Sequence, residues 1–380
     1  MKNILILHGS NDLYGASKVL LNIVDCLNEN GCKVHVILPF HGNLDNKLIH
    51  KVHNLSHYNL GVFRKKYLNF FGLFNRFYKI IKSTIHIFNY IKKNEIDLVY
   101  CNTSVIWSGV LASYISKTKS LVHIHEIPYG SKIYIIISGL FFKYFANSII
   151  VVSKKVRDHW GSYVNLKKIK VIYNYSQFFQ TDNSKKINKK QSEFIISNIS
   201  RIVPQKGIEY LIEISKELLK FDKRFRINII GDNLVGSENY LHYLKMKLEK
   251  NNLKKNIVFR GFKSDIKSII LKSDLILQTP VKPDSLPTVI IDSLTLNRPV
   301  VSTDTGGCSE ILNKGKNGLL IPLNDPKLSA KLIYEYYNNL NLQREHLENA
   351  RVFLKQNFSQ MEFEKRILNE LNRADNGQKI

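Results

Sequence analysis

Short apolar runs alternate with helix-like segments along the first half of the chain. The predicted strands are residues 2–8, 33–39, 96–102, 121–126, 148–153 and 169–174. They are nearly continuous and rich in β-branched residues, which is typical of strands covered on both faces of a parallel sheet. Residues 15–31 instead place apolar side chains at helical spacing and end at Gly31. This half therefore predicts one α/β unit.

The same alternation restarts after a polar, basic stretch at 181–192 that lacks periodicity. Residues 207–220 are a predicted helix, and the predicted strands are 194–200, 226–232, 256–262, 274–280 and 299–304. Ligands of such sheets bind beyond the carboxyl ends of the strands, so two facing units predict a central cleft. We expect an N-terminal domain at 1–177, a linker at 178–192, a C-terminal domain at 193–357 and a C-terminal helix in 358–380 that packs back towards the N-terminal domain.

The charge balance narrows the class of partner. Lys and Arg number 56 against 31 Asp and Glu, a formal net charge of +25. This favours a polyanionic binding partner such as anionic lipid or a phosphorylated substrate. The alternative is a genome-wide bias towards lysine and asparagine, which explains the same composition. We expect no nucleic-acid partner, because the sequence has no helix-turn-helix, zinc-finger or aromatic–basic sheet motif.

The sequence also indicates a protein of the reducing cytosol. Its four cysteines lack metal-ligand spacing and suggest no disulfide framework, so no metal site is expected. The chain opens on a strand rather than a signal peptide. Its most apolar window, 133–152, is interrupted by Lys143 and Asn147, which argues against a membrane span.

Arg201 and Lys206 form the most informative pair of the second unit. They follow a predicted strand and precede a predicted helix, where free backbone N–H groups and the positive helix end attract phosphate. A guanidinium fork and an ammonium point charge together suit a diphosphate. In a chain this basic an ordinary loop also carries both cations, and the residues alone leave the two interpretations open.

The stretch PDSLPTVIIDSL, residues 283–294, predicts a short helix that carries an acid in its middle. Pro287 suits the first helical position, because its φ is fixed and it has no N–H donor. A helix from there to about Leu296 is expected to bury Val289, Ile290 and Leu294. Asp292 then needs a partner or an opening to water.

Three interpretations of Asp284 and Asp292 remain open. The helix rises about 7–8 Å from Pro287 to Asp292, a distance comparable to the span from a ribose to a transferred sugar. One carboxylate could hold ribose hydroxyls while the other meets the sugar. The pair also fits the spacing of a glycosidase, roughly 5–9.5 Å. Alternatively, Asp284 is a cap and Asp292 an ordinary salt-bridge partner.

Two glycine turns and one histidine are further candidates. Gly306 and Gly307 follow a predicted strand and would let the backbone approach a ligand closely, and Tyr14 and Gly15 open the first helix of the first unit. His125 ends a predicted strand and is followed by Glu126. A histidine there projects towards the cleft and could donate to a sugar hydroxyl, although a structural role is equally ordinary for one of 12 histidines.

Residues 63–93 are basic and aromatic and contain no acid. Such a stretch suits an anionic membrane surface, with Phe and Leu entering the lipid while Lys and Arg meet the head groups. The alternative is that Phe70, Phe71, Phe74 and Ile80 pack the core of the first unit.

With these pieces in place, the chain resembles the retaining glycosyltransferases of family 4, which have the two-domain GT-B fold of two Rossmann-like, doubly wound parallel sheets. The resemblance covers nearly the whole chain and is strongest over 194–326. The family pattern R-x4-K-G appears at Arg201 to Gly207 and is followed by a strand ending in Gly231. Its acidic E-x7-E motif falls on Asp284 and Asp292, and its Gly-Gly-x-x-Glu turn on 306–310.

The resemblance implies a role for each matching position. Arg201 and Lys206 would bind the diphosphate of a nucleotide sugar, Asp292 the ribose, and Asp284 the donor sugar near its reacting carbon. His125 would lie beside that sugar. The remaining implied donor contacts are Gly15, Gly231, Phe262 near the base and the backbone amides of Leu286, Thr288 and Val289. The acceptor would meet Tyr14, Gly15, His125 and Glu126, and the implied catalytic group is His125, Arg201, Lys206 and Asp284.

The sequence departs from the family at its acidic motif. Both glutamates are aspartates here, which shortens each side chain by one methylene, about 1.5 Å. This departure bears on donor choice and on turnover.

By resemblance, transfer is retaining and needs no metal or cofactor. The donor is a nucleoside-diphosphate sugar, UDP rather than GDP, and the acceptor is a glycan or lipid-linked glycan precursor of a cell-surface polysaccharide or lipopolysaccharide. The expected location is the cytoplasm, peripheral on the inner face of the membrane through 63–93. The alternatives are a sugar-nucleotide epimerase of the same architecture and a non-catalytic nucleotide-sugar-binding subunit.

Overall fold

A computed structural model describes residues 1–13, 15–64, 67–128, 132–179, 193–233 and 238–375. Tyr14 and most of the predicted linker, 180–192, lie outside these ranges. The chain divides into two compact units. One comprises Met1–Asn174 with the chain from Met361 onward, and the other comprises Tyr175–Gln360.

The first unit contains a seven-stranded parallel sheet in the order β3-β2-β1-β4-β5-β6-β7. Its strands are β1 (Asn3–Leu7), β2 (Lys33–Leu38), β3 (Asn54–His57), β4 (Leu98–Cys101), β5 (Lys119–Ile124), β6 (Ser148–Val151) and β7 (Ile169–Val171). Its helices are α1 (Gly15–Glu29), α2 (Asp45–Leu48), α3 (Phe70–Lys93), α4 (Trp107–Ser116), α5 (Lys132–Phe145) and α6 (Lys154–Gly161). Four consecutive residues of β1, Ile4 to Leu7, are fully buried, as expected for a strand covered on both faces.

The second unit contains a six-stranded parallel sheet in the order β10-β9-β8-β11-β12-β13. Its strands are β8 (Phe194–Ile199), β9 (Phe225–Ile230), β10 (Ile257–Gly261), β11 (Leu275–Gln278), β12 (Val300–Thr303) and β13 (Leu319–Ile321). Its helices are α7 (Ile208–Phe221), α8 (Glu238–Lys250), α9 (Ile266–Lys272), α10 (Thr288–Thr295), α11 (Gly307–Ile311), α12 (Pro326–Asn338) and α13 (Leu340–Asn357). The two parallel sheets confirm the predicted GT-B class.

The last helix, α14 (Gln360–Asp375), belongs to the first unit. Phe363, Ile367 and Leu371 are buried along one of its faces. Ser148 Oγ donates to the Glu370 carboxylate at 2.9 Å, which fixes the helix beside β6.

Two short strands were not predicted from the sequence. β3 is the polar segment NLSH, and β13 is the three-residue segment LLI between a turn and Pro322. Both are edge strands, where fewer side chains are covered and the apolar pattern is correspondingly weak.

Candidate functional site

The predicted donor-site residues lie in the loops that follow parallel strands of the second unit. Arg201 and Lys206 follow β8, Gly231 follows β9, and Asp284 follows β11. Phe262 follows β10 and is 58% exposed. Because the carboxyl ends of parallel strands share one edge of the sheet, these loops form a single surface where ligands of α/β proteins bind.

Lys206 is positioned by a close approach of two backbones. It ends a single 3-10 turn, Pro204–Lys206, and Gly207 follows in the left-handed region at φ 65°. A Cβ at Gly207 would lie 1.9 Å from the carbonyl oxygen of Thr279. Thr279 Oγ1 donates to the Gly207 carbonyl at 3.0 Å, and the Val281 N–H donates to the Gln205 carbonyl at 3.0 Å. These hydrogen bonds join the loops after β8 and β11 next to Lys206.

Asp284 is held by the glycine turn that follows β12. Its backbone carbonyl accepts a hydrogen bond from the Gly307 N–H at 2.8 Å. A Cβ at Gly306, whose φ is 55°, would lie 2.3 Å from that same carbonyl oxygen. The glycine turn therefore supports the backbone of the loop that carries Asp284, and it also begins α11.

The structure brings Lys206 and Asp284 together as an ion pair. Lys206 Nζ donates to a carboxylate oxygen of Asp284, and the two side chains are 22% and 16% exposed. Two opposite charges meet in a partly buried position, where their attraction exceeds that of a surface pair. The sequence suggested both residues but not their direct contact.

Cys308 is a neighbour that sequence reasoning missed. It is fully buried, and burial, together with the nearby Asp284 carboxylate, raises the pKa of its thiol to about 12. A lone cysteine after a glycine turn does not indicate a functional site in the sequence. Here Cys308 is a buried, uncharged thiol close to the ion pair.

Helix α10 begins one residue later than predicted. Pro287 is its N-cap, with φ −73° and ψ 100°, so Thr288 is the first helical residue. Ile290 and Leu294 are buried as predicted, whereas Val289 is only partly buried. Leu286 is also buried, while Thr288 and Asp292 are partly exposed.

Arg201 and Gly231 lie at a second close approach of loops. A Cβ at Gly231, where φ is 142°, would lie 1.9 Å from the Ser200 carbonyl oxygen, and the Gly231 N–H donates to the Gly261 carbonyl at 3.0 Å. The glycine thus lets the loops after β8, β9 and β10 meet. Arg201 is exposed at this point.

His125 of the first unit directly follows β5 and sits in a network of polar side chains that the sequence did not reveal. Its Nε2 lies 2.8 Å from Asn102 Oδ1, and Asn102 Nδ2 lies 3.1 Å from His8 Nδ1. His8 Nε2 then contacts Ser17 Oγ at 3.0 Å, and Ser17 donates to Asp12 at 2.9 Å. The network joins the loops after β1, β4 and β5 at one edge of the sheet.

The network assigns the tautomer of His125. Asn102 Nδ2 also donates to the Ala16 carbonyl at 3.1 Å, and a carbonyl can only accept, so the amide orientation is fixed. The Asn102 oxygen therefore faces His125, whose Nε2 must carry the proton. Burial, with His123 and His8 adding to the effect, holds the pKa of His125 well below its usual value. His125 is thus neutral, with its Nδ1 lone pair available as an acceptor rather than as the predicted donor.

The predicted acceptor-binding residues Glu126 and Gly15 both belong to the first unit. One Glu126 carboxylate oxygen accepts from the hydroxyls of Thr103 and Ser104 and from the Ser104 N–H, and the other accepts from the His125 N–H at 3.0 Å. This carboxylate therefore organises the loop after β4. Gly15 opens α1, and a Cβ there would meet nothing within 4 Å. Tyr14 lies outside the described residues.

The first unit exposes large apolar side chains on α3 and α5. Phe70, Phe71 and Phe74 are 76–84% exposed, so they do not pack the core; Ile80, by contrast, is buried. We call the exposed large apolar residues of α3 and α5 the apolar surface; its members are Phe70, Phe71, Leu73, Phe74, Phe77, Tyr78, Ile81, Ile85, Ile133, Ile136, Ile137, Leu140 and Tyr144. Among the described helices, none has the length and apolarity needed to cross a bilayer.

Two family descriptions match nearly consecutive parts of the chain. "Glycosyltransferase Family 4" matches residues 14–175, and "Glycosyl transferases group 1" matches residues 179–353. The two matches meet near the boundary between the structural units.

Proteins of known sequence and structure show the same relationship. An uncharacterised glycosyltransferase of Methanocaldococcus jannaschii is 28% identical over 316 residues, 80% of each chain. The UDP-Gal:alpha-D-GlcNAc-diphosphoundecaprenol alpha-1,3-galactosyltransferase of Escherichia coli is 24% identical over 65% of this chain and 68% of its own. HepE of Anabaena, crystallised with UDP and glucose, superposes with a TM-score of 0.82 at 22% identity, over 98% of this chain and all of HepE.

Proposed function

Because the chain belongs to the group 1, family 4 glycosyltransferases, we propose that it moves a sugar from a uridine-diphosphate sugar to a hydroxyl of a glycan or lipid-linked glycan, with retention of configuration. The UDP bound by HepE and the UDP-galactose and diphosphoundecaprenol in the name of the E. coli relative support this donor and acceptor class. A cell-surface polysaccharide or lipopolysaccharide precursor is an acceptor of that kind.

The observation that carries the proposal is the Lys206–Asp284 pair at the carboxyl edge of the second sheet. In the free protein each side chain neutralises the other. A diphosphate entering this surface offers Lys206 a stronger anion, which releases Asp284 towards the sugar. Donor binding therefore breaks the ion pair, so that Lys206 contacts the diphosphate and Asp284 contacts the sugar.

The proposed reaction breaks the bond between the anomeric carbon and the diphosphate oxygen. Lys206, Arg201 and the N-terminus of α10 stabilise the negative charge that grows on the leaving group. The acceptor oxygen bonds to the same carbon on the face that the diphosphate leaves. Its proton passes to the departing phosphate oxygen, which balances the step and retains the configuration. Because cationic side chains provide this stabilisation, we propose that turnover does not depend on a metal ion.

His125 has a different proposed role from the donor first expected. Its protonated Nε2 is held by Asn102, so Nδ1 accepts a hydrogen bond from a sugar hydroxyl. A neutral imidazole accepts this hydrogen bond without adding a positive charge.

The apolar surface supports a peripheral membrane location on the cytoplasmic face. The helix α3 contains no acidic residue and carries Arg76, Lys79, Lys82, Lys92 and Lys93. Exposed phenylalanines beside cations suit the boundary between acyl chains and anionic head groups. We propose that this surface brings the enzyme to a lipid-linked acceptor.

The decisive experiment combines binding and product analysis on the full chain. We expect calorimetry against a panel of UDP and GDP sugars to identify a UDP sugar, and NMR of the product to show the donor's anomeric configuration, with turnover unchanged by EDTA. Binding without transfer or hydrolysis would select the non-catalytic alternative, whereas conversion of the donor to its epimer would select the epimerase.

Lys206→Ala tests the leaving-group role. We expect the variant to lower kcat at least about 100-fold, because one charge that stabilises the transition state is lost. Lys220→Ala is the matched control, since Lys220 is an exposed lysine of the same unit, paired with Glu217 on α7. Equal kcat in the Lys206 variant and the control would contradict the proposed role.

A further inference from the structure

A cluster of two histidines and one aspartate lies at the β3 end of the first sheet, where sequence reasoning expected no metal. His41 belongs to the loop after β2, Asp45 begins α2, and His57 is the last residue of β3. They therefore lie beyond the carboxyl ends of adjacent parallel strands. No residue of the proposed donor site takes part.

The potential ligand atoms converge. Asp45 Oδ1 lies 3.0 Å from His57 Nε2, and Asp45 Oδ2 lies 3.3 Å from His41 Nδ1. One ligand atom from each of the three residues lies within 4.8 Å of the other two. A tetrahedral ion with bonds of about 2.0–2.1 Å holds its ligands roughly 3.4 Å apart, so small adjustments of these side chains suffice.

Residues outside the cluster hold the Asp45 carboxylate in place. Asn11 Nδ2 donates to Asp45 Oδ1 at 2.7 Å, and the Gly42 N–H donates to Oδ2 at 3.1 Å. Asn11 is buried and is itself fixed, because its Oδ1 accepts from the Leu44 N–H at 2.8 Å. Such outer hydrogen bonds are what orient the ligating carboxylates of metal sites.

Gly42 shows that this arrangement needs its particular backbone. A Cβ there would lie 2.6 Å from the Asn11 carbonyl oxygen and 2.9 Å from its side-chain carbon. Any residue other than glycine would therefore push this loop away from Asn11, which holds the Asp45 carboxylate.

We propose that His41, Asp45 and His57 bind a divalent transition-metal ion of the zinc type. Two imidazole nitrogens and one carboxylate oxygen are a ligand set that zinc accepts, whereas calcium and magnesium prefer oxygen alone. Binding replaces both histidine–aspartate hydrogen bonds with metal–ligand bonds, and any proton on a ligating nitrogen is released to water. Water completes the coordination, since His41 is 83% exposed.

The ion would link the loop after β2 to the end of β3, which already contact each other through the His57–Asp45 hydrogen bond and the rings of His41 and His57. Asn11 lies in the loop after β1, next to Asp12, which ends the network of His8 and Ser17. A metal at Asp45 therefore stiffens the loop that leads into α1. This role is structural, and it can be tested without measuring sugar transfer.

Titration of the untagged full chain with zinc alone tests the proposal. We expect calorimetry to give one site that is at least about tenfold weaker in His41→Ala and in His57→Ala. Cobalt in place of zinc should give visible absorption bands of a four-coordinate site in the parent protein. His242→Ala, an exposed histidine of the other unit, is the control and should bind as the parent does.

His41→Ala keeps the test independent of folding, because His41 is largely exposed. Zinc binding by the parent that is unchanged in His41→Ala would place the metal elsewhere and overturn the proposal. Absence of a stoichiometric site in the parent would overturn it as well. Neither result depends on nucleotide-sugar turnover, so failure here is separate from failure of the proposed function.

Discussion

Asn102 illustrates how one amide determines the chemistry of two histidines. Its nitrogen faces the Ala16 carbonyl and His8, and its oxygen faces His125. His8 Nδ1 consequently accepts, so His8 Nε2 carries its proton and donates towards Ser17. A single buried side chain thus sets the direction of every hydrogen bond from His125 to Asp12.

Changing Asn102 should alter the tautomer of His125. Asn102→Ala removes the acceptor at Nε2, so we expect nitrogen-15 NMR of labelled histidine to show loss of the pure Nε2–H form and kcat/KM to fall. Asn102→Asp retains an oxygen facing His125 and should retain that tautomer. Assignment uses His125→Gln, and an unchanged tautomer in Asn102→Ala would refute the positioning role.

Single residues divide into those that the sequence could reveal and those that it could not. Lys206 and Asp284 were proposed because each follows a predicted strand and because their spacing matches the family pattern. Asn102 and Cys308 act only through neighbours that are far away in the chain, and an isolated asparagine or cysteine has many ordinary uses. The His41–Asp45–His57 cluster escaped for the same reason.

At the scale of elements, the glycines of the second unit decide how closely its loops can approach. Gly207 and Gly306 each face a carbonyl oxygen of another loop, and both have positive φ. The helices after them can therefore start directly beneath the loop that carries Asp284.

Gly207→Ala should lower stability more than a glycine substitution with the same backbone cost. The added methyl group clashes with the Thr279 carbonyl at 1.9 Å, and φ is 65°. Gly261 has φ 68° in the same unit but open space around it, so Gly261→Ala isolates the backbone term. We expect urea unfolding to give a difference of at least about 2 kcal/mol between the variants. Equal losses would mean that the loops separate without cost.

The elements themselves were largely predictable, because buried parallel strands are nearly uniform in sequence. The pattern identified the central strands of both sheets, the edge strands β7 and β10, and the helices α1, α7, α10 and α14. The edge strands β3 and β13 escaped because each is short and only partly covered. The sequence left open whether Phe70, Phe71 and Phe74 are exposed or packed, since an amphipathic pattern does not say which apolar residues a neighbour covers.

At the scale of the whole molecule, the proposed membrane role rests on charge and on the apolar surface together. The formal net charge of +25 would attract an anionic surface over a Debye length, about 8 Å at physiological salt. The apolar surface of α3 and α5 would then supply contacts that salt does not screen. The two contributions should therefore separate experimentally.

Sedimentation with vesicles makes this separation. We expect the protein to bind vesicles that contain phosphatidylglycerol, and Phe70→Ser with Phe74→Ser to weaken binding severalfold at high and low salt. Lys79→Gln with Lys82→Gln should weaken it at low salt only. Met246→Ser with Val352→Ser is the control, since both are exposed apolar residues of the other unit. Full binding by the phenylalanine variant would contradict the membrane role.

The return of α14 to the first unit has a consequence for biosynthesis. Phe363, Ile367 and Leu371 complete the packing of a unit whose other residues precede position 175. A ribosome must therefore finish the intervening unit before the earlier one can close its interior. Until α14 is synthesised, the first unit keeps an apolar face uncovered. It therefore reaches its fully native packing only after the last helix has been made.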